Sequence, residues 1–314
     1  MLPATTPQTL PRISLASEEP VSSVIEAAPP ADPYLLPLGS ILAGTYELRS
    51  LLGNGGMAQV FEGYDRQLDR HVAVKVARPM VSEALRSEGR ALAAVRHPLV
   101  VTVFHAGVHD GFDYLVLERI VGHTLRDRLD GRQGEGAPLP IPTVVSLLHM
   151  LAEALSVVHD AGLAHRDLKP DNVMMRPGDR IVLTDFGLTR AEFVETAGQR
   201  MSGSPDYMAP EVILRSEKRG AGHLVDLYAL GIVAYELLIG QTPFAYDHWV
   251  KTLEAHLSEP PPDPRALRPD VPDALAELIA QLLAKDPEDR PESAELVLWM
   301  LQGPRNSRRT SAAV

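Results

Sequence analysis

From Tyr46 onward, short strand-like runs stand between glycine and charged turns. YELRSLL, VFEGYD and HVAVKVA are the first three, and they predict an antiparallel sheet. SEALRSEGRALAAV, residues 82 to 95, switches to helical spacing, with Ser82 placed as N-cap and Glu83 in the first turn. Two more strand patterns follow, VVTVFHAGVH and FDYLVLERI, and then Gly122 opens a different rhythm. PTVVSLLHMLAEALSVVHDAG and DLYALGIVAYELLIG are apolar almost all round, as expected of helices at the centre of a helical domain. The pattern therefore predicts a small β-rich lobe followed by a larger helical one.

The ends differ from this middle. Prolines at 3, 7, 11, 20, 29, 30, 33 and 37 sit in a Pro-, Ala-, Ser- and Thr-rich stretch with no sustained period, which predicts an unstructured extension over residues 1–45. The folded region is then 46–303, with lobes 46–121 and 122–303, and 304–314 is a short basic, polar tail. No repeat of solenoid or propeller period is present. With 314 residues, 45% of them apolar, the chain can bury a substantial core. Its formal net charge of -11 argues against nonspecific binding to nucleic acid or an anionic membrane. Having no cysteine, it can carry no disulfide, thiolate metal site or cysteine nucleophile. MLPATTPQTLPR lacks the basic start and apolar core of a signal sequence, and no unbroken run of 18 apolar residues occurs, so the expected location is cytoplasmic, with no membrane partner.

Two stretches point to chemistry. LLGNGGMAQVFEG places Gly53, Asn54, Gly55 and Gly56 between two strand candidates, where backbone N–H groups can approach a phosphate chain, or where the chain simply turns. No Gly-Lys-Ser/Thr follows, so this is not a P-loop. One hairpin on, VAVK sets Ala73 and Lys75 on one face of a strand. A buried ammonium there needs an anionic partner, and Glu88 and Glu83 are the two acids on the following helix. The second stretch, LAHRDLKPDN, gathers His165, Arg166, Asp167, Lys169 and Asp171 in ten residues. A solvated, salt-bridged loop is its plain reading.

Taken in order, GNGGMA, VAVK, RSEGRALAAVRHP, HRDLKPDN, TDFG, MAPE and KDPEDRP resemble the motif series of the protein kinases, specifically the bacterial Hanks-type (eukaryotic-like) serine/threonine kinases. The resemblance covers residues 46 to about 303. It implies a bilobal α+β fold, in which a small antiparallel N-lobe with one key helix sits on a mainly helical C-lobe. It implies ATP, with Mg2+ or Mn2+, as the phosphoryl source, and Ser/Thr hydroxyls of proteins as acceptors, in cytoplasmic signalling with autophosphorylation through a transient homodimer. Lys75 would meet the α- and β-phosphates, with Glu88 as its partner; Asp167 would orient the acceptor hydroxyl and take its proton; Lys169 would neutralise the transferring group; Asn172 and Asp185 would hold the metal. The loop glycines, with Ala58 in place of the third, Val60, Ala73, Leu117, Glu118, Ile120 and Met174 would enclose the nucleotide, Leu117 as gatekeeper. Asp226 would support the HRD backbone, Glu211 would pair with Arg290, His165 would be a packed structural residue, and Ser204 would tie the substrate platform to Asp167 and Lys169. Thr196 and Ser202 are the phosphorylation candidates between Asp185 and Glu211. Arg166, joined by Arg190, would receive that phosphate, or else Arg166 pairs with a nearby carboxylate and the loop is always ordered. Two rivals share the lobe plan: a pseudokinase, which loses the lysine, the base or the metal aspartate, and a small-molecule kinase, which lacks GSPDYMAPE. Lys75, Glu88, Asp167, Asn172, Asp185 and GSPDYMAPE are all present.

Overall fold

The computed structural model describes residues 36–55, 58–78, 82–132, 136–186 and 205–302, without the side chains of 82–84, 87 and 88. Its first half is a six-stranded antiparallel sheet, made of β1 (Ile41–Leu42), β2 (Tyr46–Asn54), β3 (Ala58–Asp65), β4 (Arg70–Ala77), β5 (Val103–His109) and β6 (Phe112–Glu118). The spatial order is β1-β2-β3-β4-β6-β5. Alternation along the central strands gives each face its own core. Val72, Val74 and Val76 of β4, with Tyr114 and Val116 of β6, join Leu48 and Phe61 in an outer cluster. Ala73, Ala77, Leu115 and Leu117 face the other way, into the core that continues through the helical lobe. Lys75 shares the parity of Ala73 and so lies on that inner, lobe-facing side.

Three details depart from the sequence reading. Residues 36–45, expected to belong to the extension, are part of the fold: Leu36 and Leu42 are buried in the outer cluster and β1 pairs with β2 through Ile41↔Glu47 and Leu42↔Tyr46. The prolines around these leucines hid a strand of only two residues. Helix α1 (Ser82–Leu92) stops short of residue 95, and the strand expected from residue 100 starts at Val103. α1 lies against β6, and Gly89 sets how closely: a Cβ there would sit 2.3 Å from Leu115 Cδ2, and Leu115 is itself buried.

The helical half starts with β7 (His123–Thr124) and α2 (Leu125–Leu129), whose Thr124 and Asp127 form a reciprocal capping box. α3 (Ile141–Asp160) leads to a 3-10 turn at Pro170–Asn172 and then to β8 (Val173–Arg176) and β9 (Arg180–Leu183), which form a small sheet with β7. After α4 (Pro210–Ile213), α5 (Gly222–Ile239) runs through the middle of the lobe and packs on α3 and on α8 (Asp273–Leu282). α6 (Trp249–Ser258) packs on α4, α7 (Pro264–Leu267) on α5, and α9 (Ala294–Gln302) on α3. α3 and α5 are long and apolar enough to cross a bilayer by length and composition; here α5 is buried on nearly all sides and α3 along one face, which explains that composition without a membrane.

Candidate active site

The HRD segment is held from below by a single carboxylate. Asp226 on α5 is fully buried and accepts the backbone N–H of His165 at 2.7 Å, that of Arg166 at 2.6 Å, and His159 Nε2 at 2.8 Å. An aspartate in an otherwise apolar helix is costly unless its lone pairs are filled, and here three partners fill them. His165 is fully buried against Phe186, ring centroids 4.6 Å apart, with its Nε2 on the Thr184 carbonyl. Burial pushes its pKa below the ordinary imidazole value, and this neutral histidine packs the loop.

Above this floor the polar side chains converge. Lys169 Nζ donates to Asp167 at 2.8 and 3.1 Å, and Asn172 Nδ2 donates to the Asp167 carboxylate and carbonyl at 2.8 and 2.7 Å. The 3-10 turn that begins at Pro170 brings Asn172 back over Asp167. Thr184 N and Oγ1 both bond the Asn172 carbonyl, and Val173 pairs with Leu183, so the end of the HRD segment and the start of DFG lie side by side. Asp185 follows with φ +50, as Arg166 does with +64, both in the left-handed region that costs roughly 1–3 kcal/mol for such residues and collects at functional sites. Across the cleft, Lys75 is 6% exposed and its Nζ stands 3.4 Å from Asp185 Oδ1. The two lobes thus meet at an ion pair, with the Asp167 cluster beside it.

The nucleotide-wall candidates fall in register. Val60 is opposite Lys75 and Gly53 opposite Val60, while Ala73 is opposite Leu117, and Gly55 N closes the hairpin onto the Ala58 carbonyl. Ala73 from the sheet and Met174 from β8 border the same core cluster, to which Leu117 and Ile120 belong. The hinge itself is fastened to both lobes. Glu118 pairs with Arg176 of β8, and Arg119 donates to the Ile120 carbonyl while its Nε lies 3.7 Å from Glu62 on β3. The oxygen donors of Asn172 and Asp185 are of the hard type that suits Mg2+, an ion that fills the rest of its shell with water and phosphate. Glu211 and Arg290 form a buried bidentate pair at 2.7 and 2.9 Å. Glu88 lies on α1 with its side chain undescribed, and Gly56, Arg190, Thr196, Ser202 and Ser204 lie outside the described residues.

Sequence reasoning missed two arrangements. Arg126 of α2 joins the Tyr207 hydroxyl at 2.5 Å, Glu236 of α5 at 2.7 Å and Asp171 at 3.5 Å, and so links the segment after residue 204 to the catalytic floor. Burial is the largest influence on Arg126 and opposes its charge, but Glu236, Tyr207 and Asp171 together outweigh it and hold the pKa above the usual guanidinium value. The signal was Glu236 itself, an acid inside DLYALGIVAYELL. The second is Arg86 on α1, whose Nε meets the buried Asp113 of β6 at 2.9 Å. Arg166 pairs with Glu217, which fulfils the carboxylate alternative for that arginine.

Comparison with known proteins agrees with this geometry. The Protein kinase domain family matches residues 46–299. Among similar curated proteins are the DNA damage-responsive serine/threonine-protein kinase RqkA of Deinococcus radiodurans, 38% identical over 84% of this chain and 40% of its own length, and serine/threonine-protein kinase PknA of Mycobacterium tuberculosis, 36% identical over 81% and 59%. Serine/threonine-protein kinase Pkn1 of Myxococcus xanthus is 36% identical over 81% of this chain and 37% of its own. The chain thus spans between about a third and three fifths of these relatives. In structure it is similar to the kinase domain of Mycobacterium tuberculosis PknI, with a TM-score of 0.66 and 27% identity over 85% of this chain and 98% of that one. This chain belongs to the protein kinase family, among its bacterial Hanks-type members.

Proposed function

We propose that this chain transfers the γ-phosphoryl group of ATP to serine and threonine hydroxyls of proteins, itself included, as a cytoplasmic signalling enzyme. The observation that carries the reading is the Asp167 carboxylate, fixed by Lys169 and Asn172 beside the Lys75–Asp185 pair. In this reading the acceptor oxygen forms a bond to the γ-phosphorus, the bond to the β–γ bridging oxygen breaks, ADP leaves, and Asp167 takes the hydroxyl proton. Asp167 contributes orientation first, since a hydroxyl hydrogen-bonded to a fixed carboxylate is already aimed at phosphorus. Lys169 then offsets negative charge on the moving phosphoryl, and Lys75 holds the α- and β-phosphates in the cleft. Mg2+ or Mn2+, held by Asn172 and Asp185, supplies charge neutralisation on the phosphates. Direct transfer needs no covalent enzyme intermediate. A transient homodimer accounts for autophosphorylation in trans; nucleic acid and membrane have no part in the scheme.

The test is label from [γ-32P]ATP incorporated by purified protein into itself and a generic protein, followed by phosphoamino acid analysis. Phosphoserine and phosphothreonine are expected. Nucleotide binding without transfer would make the chain a pseudokinase, and label found only in small hydroxyl compounds would assign it to the small-molecule kinases.

A further inference from the structure

The arginine next to Asp167 already has its anion. Arg166 Nη1 and Nη2 donate to Glu217 Oε2 and Oε1 at 2.8 and 2.6 Å, with the side chains 24% and 21% exposed. This is the parallel two-bond geometry in which a guanidinium holds a carboxylate or a phosphate most strongly. Glu217 sits fifty-one positions on, between α4 and α5. Space for the guanidinium comes from Gly222, the first residue of α5, where a Cβ would stand 2.8 Å from Arg166 Nη2 and 2.9 Å from Ala164 Cβ. Residue 166 is therefore gripped twice. Asp226 holds its N–H, and Glu217 holds its side chain, across a backbone with φ +64 that persists only where its surroundings enforce it.

We infer that Glu217 is a positioning residue for Asp167. Its carboxylate gives Arg166 the anionic partner that a phosphate on the segment 187–204 would otherwise provide, so the HRD loop holds its working conformation without phosphorylation there. Three physical consequences follow from removing that carboxylate. The guanidinium loses its partner one residue from Asp167, it becomes free to compete with Lys169 for the Asp167 oxygens, and the left-handed turn loses one of its two restraints. A phosphate arriving at Arg166 would have to displace Glu217, so modification of the segment competes with an existing pair and does not fill a vacant pocket. The inference rests on the phosphoryl-transfer reading of the site.

Initial rates are measured on phosphatase-treated full-length wild type, E217Q, E217D, R166A and R166A/E217Q, with MgATP and a generic protein substrate, alongside each protein's unfolding midpoint. Stripped wild type should keep at least about half the rate of the untreated protein. E217Q should lose about tenfold or more in kcat with its KM for ATP within about twofold, E217D should recover most of that loss, and the double variant should be no slower than R166A, since the pair acts as one unit. A purely structural Glu217 would lower the unfolding midpoint and leave kcat in place, and that result overturns the inference. So does stripped wild type that stays inactive until rephosphorylated, an arm that decides the matter even if E217Q fails to fold. Wild type that transfers no phosphate in any state overturns the reading of the site and this inference with it; an active wild type with an indifferent E217Q overturns this inference alone.

Discussion

The two lobes hold their shares of the site by opposite means. In the helical lobe, Asp226 and the Glu211–Arg290 pair lie wholly inside, every charge matched at hydrogen-bond distance and locked among the helices around α5. In the β-lobe, the described contacts of the helix that carries Glu88 are apolar or lie at the surface. Leu85 and Leu92 are buried in the core, Gly89 meets Leu115 of β6, and half-exposed Arg86 pairs with Asp113. Such a division lets one wall of the cleft stay fixed while the other can shift. Damage to the first should appear as lost stability, and damage to the second as lost activity at smaller cost in stability.

The largest effect is expected from Arg290→Met, which leaves the Glu211 carboxyl buried without its cation. Breaking such a pair costs on the order of 3–5 kcal/mol, read as a fall in the urea midpoint. A change below about 1 kcal/mol would mean the helical lobe is not the rigid half. Next comes His256, buried on α6 against the Tyr228 hydroxyl, with a pKa pushed down to about 4, chiefly by burial and then by the Lys285 charge. The unfolded chain binds this proton below about 6.5 and the folded one only below about 4. Its contribution is thus complete above pH 6.5 and disappears as pH falls to 4, up to roughly 3 kcal/mol in all. Urea unfolding of wild type and His256→Asn across that range should show the steeper decline in the wild type. Equal slopes would place the titration elsewhere.

In the β-lobe, Gly89→Ala separates two opposed effects. Alanine should favour the helix by about 1 kcal/mol, but its Cβ must push Leu115 aside inside a filled core, which costs about 1–3 kcal/mol. Lost activity, severalfold in kcat/KM, is therefore expected with little net change in stability, whereas a gain would mean that glycine serves to loosen the helix. Arg86→Ala should cost only about 1 kcal/mol, because its partner is buried but Arg86 itself is half in water.

Much of this arrangement was legible in the residues themselves. The strand parity that turns Lys75 inward and the two apolar helices came from local pattern, and each lies where that pattern implied, whereas the meaning of HRDLKPDN, DFG and MAPE came from the resemblance to the protein kinases. What escaped was long-range. Leu36 and Leu42 read as part of a proline-rich tail because a two-residue strand has no period, and Glu217 in RSEKRG looked like any solvated charge because its partner is 51 residues away. Arg126 was likewise unreadable, since its meaning comes from Glu236 and Tyr207 meeting it in space.

The central claim, that Asp167 is the base in a site completed by both lobes, is most directly tested by the rate of phosphoryl transfer in Asp167→Asn with ATP binding measured on the same sample. The account predicts nucleotide binding like that of the wild type and transfer reduced by about 10²–10⁴-fold. Transfer near the wild-type rate by the correctly folded variant would contradict it.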